Sequence, residues 1–301
     1  MYAYGVKIAD PVMTGFGAFL ARRRGEYRPG ESTLGRILPA LLSTDALAKA
    51  EPREPLLGDV WLPDLEFIAA RSVAGSNDGL YLSAFGGHNA QSHNHNDVGN
   101  FVVYADGKPV LVDVGVETYT AKTFSPRRYE IWTMQSAFHN LPTINGAQQK
   151  EGAAFRARDV RHEATASRAS LSLDIAAAYP ADAAVDRYER TVALDRRARI
   201  VSLDERYALR EWKAPLRLSF MTPLRPDVSR AGEVHLAPSD GTGSSFILRY
   251  DAARFDATTE EIPIADARLR PVWGDRVARV VLVAKDKALR GEHRLTVGYA
   301  R

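Results

Sequence analysis

The 301-residue chain is long enough for one large domain or two smaller ones, and 45% of it is hydrophobic, yet no apolar run approaches the roughly 18 residues a membrane-spanning helix needs. Forty basic against 37 acidic residues leave a net charge of +3, scattered and without a nucleic-acid motif, which excludes a basic nucleic-acid-binding domain and argues for no membrane partner either. With no cysteine, disulfides, thiolate zinc sites and a cysteine nucleophile are ruled out, and any metal must be held by histidine and carboxylate.

The first segment, MYAYGVKIADP, has no charged region followed by an apolar stretch, so it carries no visible export signal. Asp10-Pro11 then opens a helix: Asp10 can accept from the free first-turn amides, Pro11 suits the first turn, the arginines Arg22, Arg23 and Arg24 lie at the negative end, and Gly25 offers a left-handed exit. A second helix is expected from Thr33 to Leu42 behind Ser32, and a third, short one after a Ser43 or Thr44 cap. Helices this short bury little surface alone, so residues 1–57 read as the end of a larger helical domain or a collar on the remainder of the chain.

From Glu54 to Pro63 the composition turns to Pro, Gly and turn residues, marking a boundary. Beyond it, LEFIAARSV, LYLSAF, FVVYA, PVLVDVG, ASLSLDIAAAY, RYERTVAL, RARIVSLDERYAL, LRLSFMTP, SFILRYD, RVARVVLVAK and HRLTVGYA are short alternating or β-branched runs between turn signals. That pattern predicts a mainly β fold, a large antiparallel β-sandwich over 58–301, and speaks against parallel βαβ units.

The stretch from Gly86 to Gly115 concentrates the chemistry, with three of the seven histidines. Asp106-Gly107 favours a type I′ hairpin pairing Ala105 with Lys108 and, counting outward, Asn100 with Asp113. His93, His95 and Asp97 alternate with Asn94 and Asn96. A single such histidine is most often a surface or hydrogen-bonded residue, but two imidazoles beside a carboxylate are what a cysteine-free chain can offer zinc. Hairpin parity sets a condition. In an unbroken strand His95 would face away from Asp113 and lie about 16 Å along the strand from the Asn100 level. Residues 93–99 must therefore bulge or curl back, which Gly99 and the Asn/Asp run would permit. Farther on, Arg127-Arg128 could clamp a carboxylate or sulfate, and Asn145-Gly146 suggests another hairpin after His139.

The series GGH, SHNHND, strand, DG turn, PVLVDVG, a Tyr, an Arg pair and AFHNLPTING resembles the C-terminal half of the heparinase II/III-like polysaccharide lyases, over about Val60 to the C-terminus. The resemblance implies an α/α toroid followed by an antiparallel β-sandwich, with residues 1–57 as the last toroid helices. It also implies His95, Asp113 and His139 as zinc ligands and His93 as a catalytic or substrate-contacting histidine. Asp97 would orient His95 or brace the loop, while His88, Asn94, Tyr119, Arg127 and Arg128 would lie toward substrate. Such enzymes cleave uronic-acid glycans of heparan sulfate or alginate type by β-elimination, outside the cytoplasm (periplasmic or secreted), and a homodimer is compatible with the pattern. The family's toroid contributes a catalytic Tyr that Tyr2 and Tyr4 do not match, so this chain is expected to be part of the enzyme and inactive alone. The residues also admit two other readings: a non-catalytic, zinc-stabilised module for acidic carbohydrate, or a zinc hydrolase with Asp97 activating water.

Overall fold

The computed structural model describes residues 1–24 and 33–300, and falls into two units, residues 1–57 with 74–76, and 58–73 with 77–301. Gly25 and Ser32, expected to end one helix and open the next, lie outside the described residues.

In the first unit the helices are Tyr2–Lys7, Pro11–Arg24, Leu34–Leu42 and Thr44–Lys49. Asp10 caps the second as expected, Oδ1 accepting from the amides of Val12 and Met13 at 2.9 Å. The helix Tyr2–Lys7 escapes the sequence reading because it lacks a cap side chain and apolar periodicity. It packs against its neighbour at close range, since a Cβ on Gly17 would stand 2.6 Å from the Tyr2 amide nitrogen. Leu34, Leu38, Leu41 and Leu42 leave much of their surface exposed. No helix among the described residues is long and apolar enough to cross a membrane.

The second unit is an antiparallel β structure. One sheet has five strands, in the order Asp59–Leu62, Phe67–Arg71, Leu80–Phe85, Phe101–Ala105 and Lys108–Leu111. Another has eight, running Arg225–Asp227, Glu233–Ala237, Phe246–Arg249, Arg290–Tyr299, Ile200–Leu209, Val185–Asp195, Arg168–Asp174 and Arg158–Ala164. A four-stranded sheet orders Phe255–Pro263, Arg276–Ala284, Arg217–Thr222 and Pro142–Thr143, and His88–Asn89 pairs with Gly152–Arg156. Alternation explains the layering. Leu82 and Val103 from the five-stranded sheet, Tyr188, Leu203 and Leu248 from the eight-stranded one, and Phe220 and Leu282 from the four-stranded one share one core. Each such fully buried side chain contributes on the order of 1.5–3 kcal/mol. The fold is thus the antiparallel sandwich the run pattern predicted.

Both predicted tight turns form, with positive φ at Asp106 and Gly107 and at Asn145 and Gly146. The outward count from the first does not hold. Ala105 pairs with Lys108 and Tyr104 with Pro109, but Val103 then pairs with Leu111, leaving Val110 as a bulge. Pro109 has no N–H to give the ladder, and prolines within sheets collect at such bulges. The strand stops at Leu111, so Asp113 lies past its end rather than opposite Asn100.

Inside the sandwich, Arg190 (1% exposed) donates through Nε to Glu205 Oε1 at 2.7 Å, and Glu205 Oε2 accepts from Tyr188 Oη at 3.0 Å and pairs with His293 Nε2 at 2.7 Å. Burial pushes the Glu205 carboxyl up, but Arg190 and His293 outweigh it and hold it at about 2. Arg190 Nη1 reaches in the other direction, to the carbonyls of Gly99 at 2.9 Å and Asn140 at 2.7 Å.

Candidate metal centre and cleft

Residues 93–99 do not continue the strand. His93 and Gly99 have φ of 60° and 83°, the Asn100 amide returns to the Asp97 carbonyl at 2.9 Å, and the Asn96 amide is taken by the Met134 carbonyl at 3.0 Å. Gly99 is required here twice over: its φ is left-handed, and a Cβ would lie 2.8 Å from Ile175 Cγ2. Buried Gln149 props the turn from behind, accepting from the Val98 amide at 3.0 Å and donating to the Val98 carbonyl at 2.8 Å. The curl that parity demanded is present.

Its result is a cluster in which His95, Asp97, Asp113 and His139 each present one ligand atom, all within 4.8 Å of one another. A tetrahedral zinc site with bonds of about 2.0–2.1 Å has edges of about 3.4 Å, so the widest separation would have to contract by about 1.4 Å to close the set. His139 is brought in by the segment before Pro142–Thr143, its Nδ1 lying 3.1 Å from Asp113 Oδ2, with its ring 5.3 Å from that of His95. Asp113 is oriented by the Asn100 amide side chain (3.0 Å, to Oδ2) and the Gly115 amide (2.8 Å, to Oδ1). Next to His139, buried Asn140 takes the Met221 amide at 2.7 Å and donates to the carbonyls of Phe101 and Val112. One side chain thereby ties the hairpin to the four-stranded sheet.

The electrostatics suit a cation. Burial, with help from His139 and Arg128, lowers His95 to about 4, so its ring is neutral near pH 7. Desolvation raises Asp97 to about 7, and the charge of Asp113 adds to the rise. Burial works against the charge on Asp113, but His139 and His95 hold it well below the carboxylate range. For His139, burial is outweighed by Asp113, and the ring is shifted up. Two carboxylates and two imidazoles, half-buried to buried and without a lysine among them, fit a divalent ion that takes N and O ligands.

A cavity of about 210 Å³ opens over this cluster, lined by Phe85, Gln91, Ser92, His93, Asn94, His95, Asp97 and Asp113. His93 projects at its rim, stacked on Tyr119 (centroids 5.5 Å, planes 13° apart) and edge-on to Phe124 at 6.1 Å. Asn94 holds the loop itself, its side chain donating to the His95 carbonyl and accepting from the Gln91 amide. Arg128 braces it from below, donating to the carbonyls of Asn94 (3.0 Å) and Thr123 (2.9 Å). Arg127 is engaged elsewhere, in a forked pair with Glu130 at 2.8–3.0 Å. His88 sits in the ladder with Gly152–Arg156, Nδ1 accepting from the Ala90 amide, and is not among the cavity-lining residues. A larger cavity of about 750 Å³ lies over the eight-stranded sheet, lined by exposed ion pairs such as Arg206–Glu292 at 3.2 Å and Arg294–Asp204 at 3.5 Å, and it reads as a solvated face.

Sequence reasoning missed Asn100, Asn140 and Gln149, whose amides shape the site through long-range bonds, and also Phe124 and Arg268. Only the unusual density of Asn and Gln around the histidines could have pointed to the first group.

The profile of the "Heparinase II/III-like, C-terminal" family matches residues 61–285. No curated protein sequence matches the chain significantly. Among solved structures, heparan sulfate lyase HepC from Pedobacter heparinus superposes with a TM-score of 0.65 at 18% identity, covering 88% of this chain and 40% of that one. A heparinase III superposes with a TM-score of 0.64 at 16% identity, covering 84% and 38%. The chain thus spans about two fifths of the length of these structures, which share its fold. With a profile match over most of its length, this chain belongs to the heparinase II/III-like, C-terminal family.

Proposed function

We propose that the chain is the β-sandwich part of a polysaccharide lyase that cleaves uronic-acid glycans of heparan sulfate or alginate type by β-elimination, in the periplasm or outside the cell. The observation that carries this reading is the convergence of His95, Asp97, Asp113 and His139 two residues from His93, at the rim of a cavity, in a chain of this family. β-Elimination needs the carboxylate beside C5 neutralised, a base to take the C5 proton, and an acid to protonate the departing glycosidic oxygen as the C4–C5 double bond forms. His93, at the rim and free of the cluster, is suited to one proton transfer or to a hydrogen bond with the carboxylate. The other catalytic group, a tyrosine in the lyases that this chain resembles, would come from a helical domain. The exposed leucines of Leu34–Leu42 supply a surface on which further helices would pack.

His95, Asp113 and His139 would hold zinc, with Asp97 as a fourth ligand or a brace. A bound ion would fix the loop that presents His93. With four protein donors available the site is better suited to holding structure than to activating water, which places the hydrolase reading second. The non-catalytic module differs from the lyase only in turnover.

The purified chain is expected to hold about one zinc per molecule by elemental analysis, and His95→Ala to lose it. A wild-type chain that is metal-free and equally stable in chelator would reject the site. In the complete protein, acidic oligosaccharides should yield unsaturated uronate by ultraviolet absorbance, and His93→Ala should abolish it while retaining zinc. Saturated products would identify a hydrolase, and binding without products a non-catalytic module.

A further inference from the structure

The segment between the strands Phe255–Pro263 and Arg276–Ala284 is far in sequence from the histidine loop, yet it is anchored to the stretch that follows Asp113 and reaches the ring that stacks on His93. Asp266 Oδ2 accepts from the Thr118 amide at 2.9 Å, and Trp273 Nε1 donates to the Val114 carbonyl at 2.9 Å. Ile264 and Leu269 are buried with Val112, Val114, Met221 and Val277, in a small core behind Asp113. The loop is also internally rigid, because Asp266 Oδ1 takes the amides of Arg268 and Leu269 at 2.9 and 3.1 Å. These anchors fix the Arg268 backbone and leave its side chain exposed. Its guanidinium lies 5.4 Å from the centroid of the Tyr119 ring, the ring that stacks on His93.

Arg268 stands out among its neighbours. Arg270 is paired with Asp275 at 2.6 Å, Arg127 and Lys122 with Glu130, and Arg279 with Glu260. Arg268 has no acidic partner among the described residues, and its side chain lies against the face of Tyr119. Stacking on an aromatic face orients a guanidinium plane without consuming its N–H donors, so the fork remains available for an oxyanion.

Resting on the lyase reading above, we infer that Arg268, presented by Tyr119 beside His93, is the specificity-determining residue that binds an acidic group of the glycan, carboxylate or sulfate. The side chain would hold one anionic group of the chain at the His93 end of the cleft, so that the enzyme discriminates acidic from neutral glycans at a position set by the Asp266 and Trp273 anchors.

The test is calorimetric titration of the 301-residue chain with three probes: an unsulfated uronate oligosaccharide, its carboxyl-reduced neutral form, and a sulfated uronate oligosaccharide. Arg268→Ala should weaken binding of an acidic probe by about tenfold or more, leave the neutral one unchanged, and retain zinc content and melting temperature. Arg268→Lys should recover part of the loss. Arg270→Ala, which removes an equal charge from a paired position, should change nothing. An effect on the unsulfated probe assigns the carboxylate as ligand, and an effect confined to the sulfated probe assigns the sulfate. Wild-type preference for acidic over neutral probes that survives Arg268→Ala overturns the assignment of Arg268 and leaves the lyase reading standing. Equal wild-type affinity for all three probes overturns both, and no binding of any probe overturns the assignment of Arg268 alone.

Discussion

Asn140 shows how much one buried amide can carry. It is completely buried and satisfies the Met221 amide and the carbonyls of Phe101 and Val112, while its own backbone amide donates to Asn100 Oδ1 at 3.0 Å. Asn140→Ala would strand these groups without water, and each buried orphan costs about 1–3 kcal/mol. A loss of roughly 2–4 kcal/mol in urea unfolding is the expected outcome, with weaker retention of the proposed zinc because Asn100 and His139 flank the gap. The neighbouring His139 was visible in the sequence only through its family resemblance. Spacing could not join it to His95, because their contact depends on how two distant segments cross the fold.

Among the elements, the two tight turns were legible because Asp-Gly and Asn-Gly favour positive φ locally, whatever the tertiary context. The register beyond the first turn was not. Pro109 and the Val110 bulge alter the count within a few residues of the turn, and no alternation pattern marks that change. The run of short 3₁₀ turns at Ala121–Phe124, Arg128–Glu130, Trp132–Met134 and Ser136–Phe138, which places Phe124 and carries the chain to His139, likewise has no apolar period to betray it. The curl at 93–99 was demanded by parity and permitted by Gly99, and it can be challenged there. Gly99→Ala places a Cβ 2.8 Å from Ile175 Cγ2 at a left-handed φ. The strain and overpacking should cost about 2 kcal/mol or more and lower occupancy of the proposed zinc site, whereas Gly75→Ala, with the same sign of φ but open space around it, should show the smaller backbone cost alone.

At the scale of the molecule, the buried group formed by Arg190, Glu205, His293 and Tyr188 links the sandwich interior to its acid stability. Glu205 has a folded-state pKa of about 2 against an ordinary 4.5, so the folded state binds its proton less readily than the unfolded chain does. Its contribution is complete above about pH 5 and is lost as the pH falls toward 2, a linkage of roughly 3 kcal/mol. Urea midpoints measured down this range should fall for the wild type, and the fall should be shallower in Glu205→Gln. That variant should also be less stable at neutral pH, because Arg190 keeps its charge without a counter-ion. The mainly β architecture was legible from short alternating runs, but this interior pair was not: nothing in RYERTVAL or LDERYAL marks which charged residue turns inward, and Arg190 and Glu205 are held inside by their mutual pairing.

Arg190 has one further consequence, for anyone wishing to move the candidate metal centre elsewhere. Its Nη1 binds the carbonyl of Gly99, at the end of the histidine loop, and that of Asn140, beside the third candidate ligand. Grafting SHNHND with its hairpin onto another scaffold would therefore carry across most of the visible donors and leave behind the clamp that sets their spacing. A portable version of the site has to include the strand Val185–Asp195 and, through Glu205, the strand beside it.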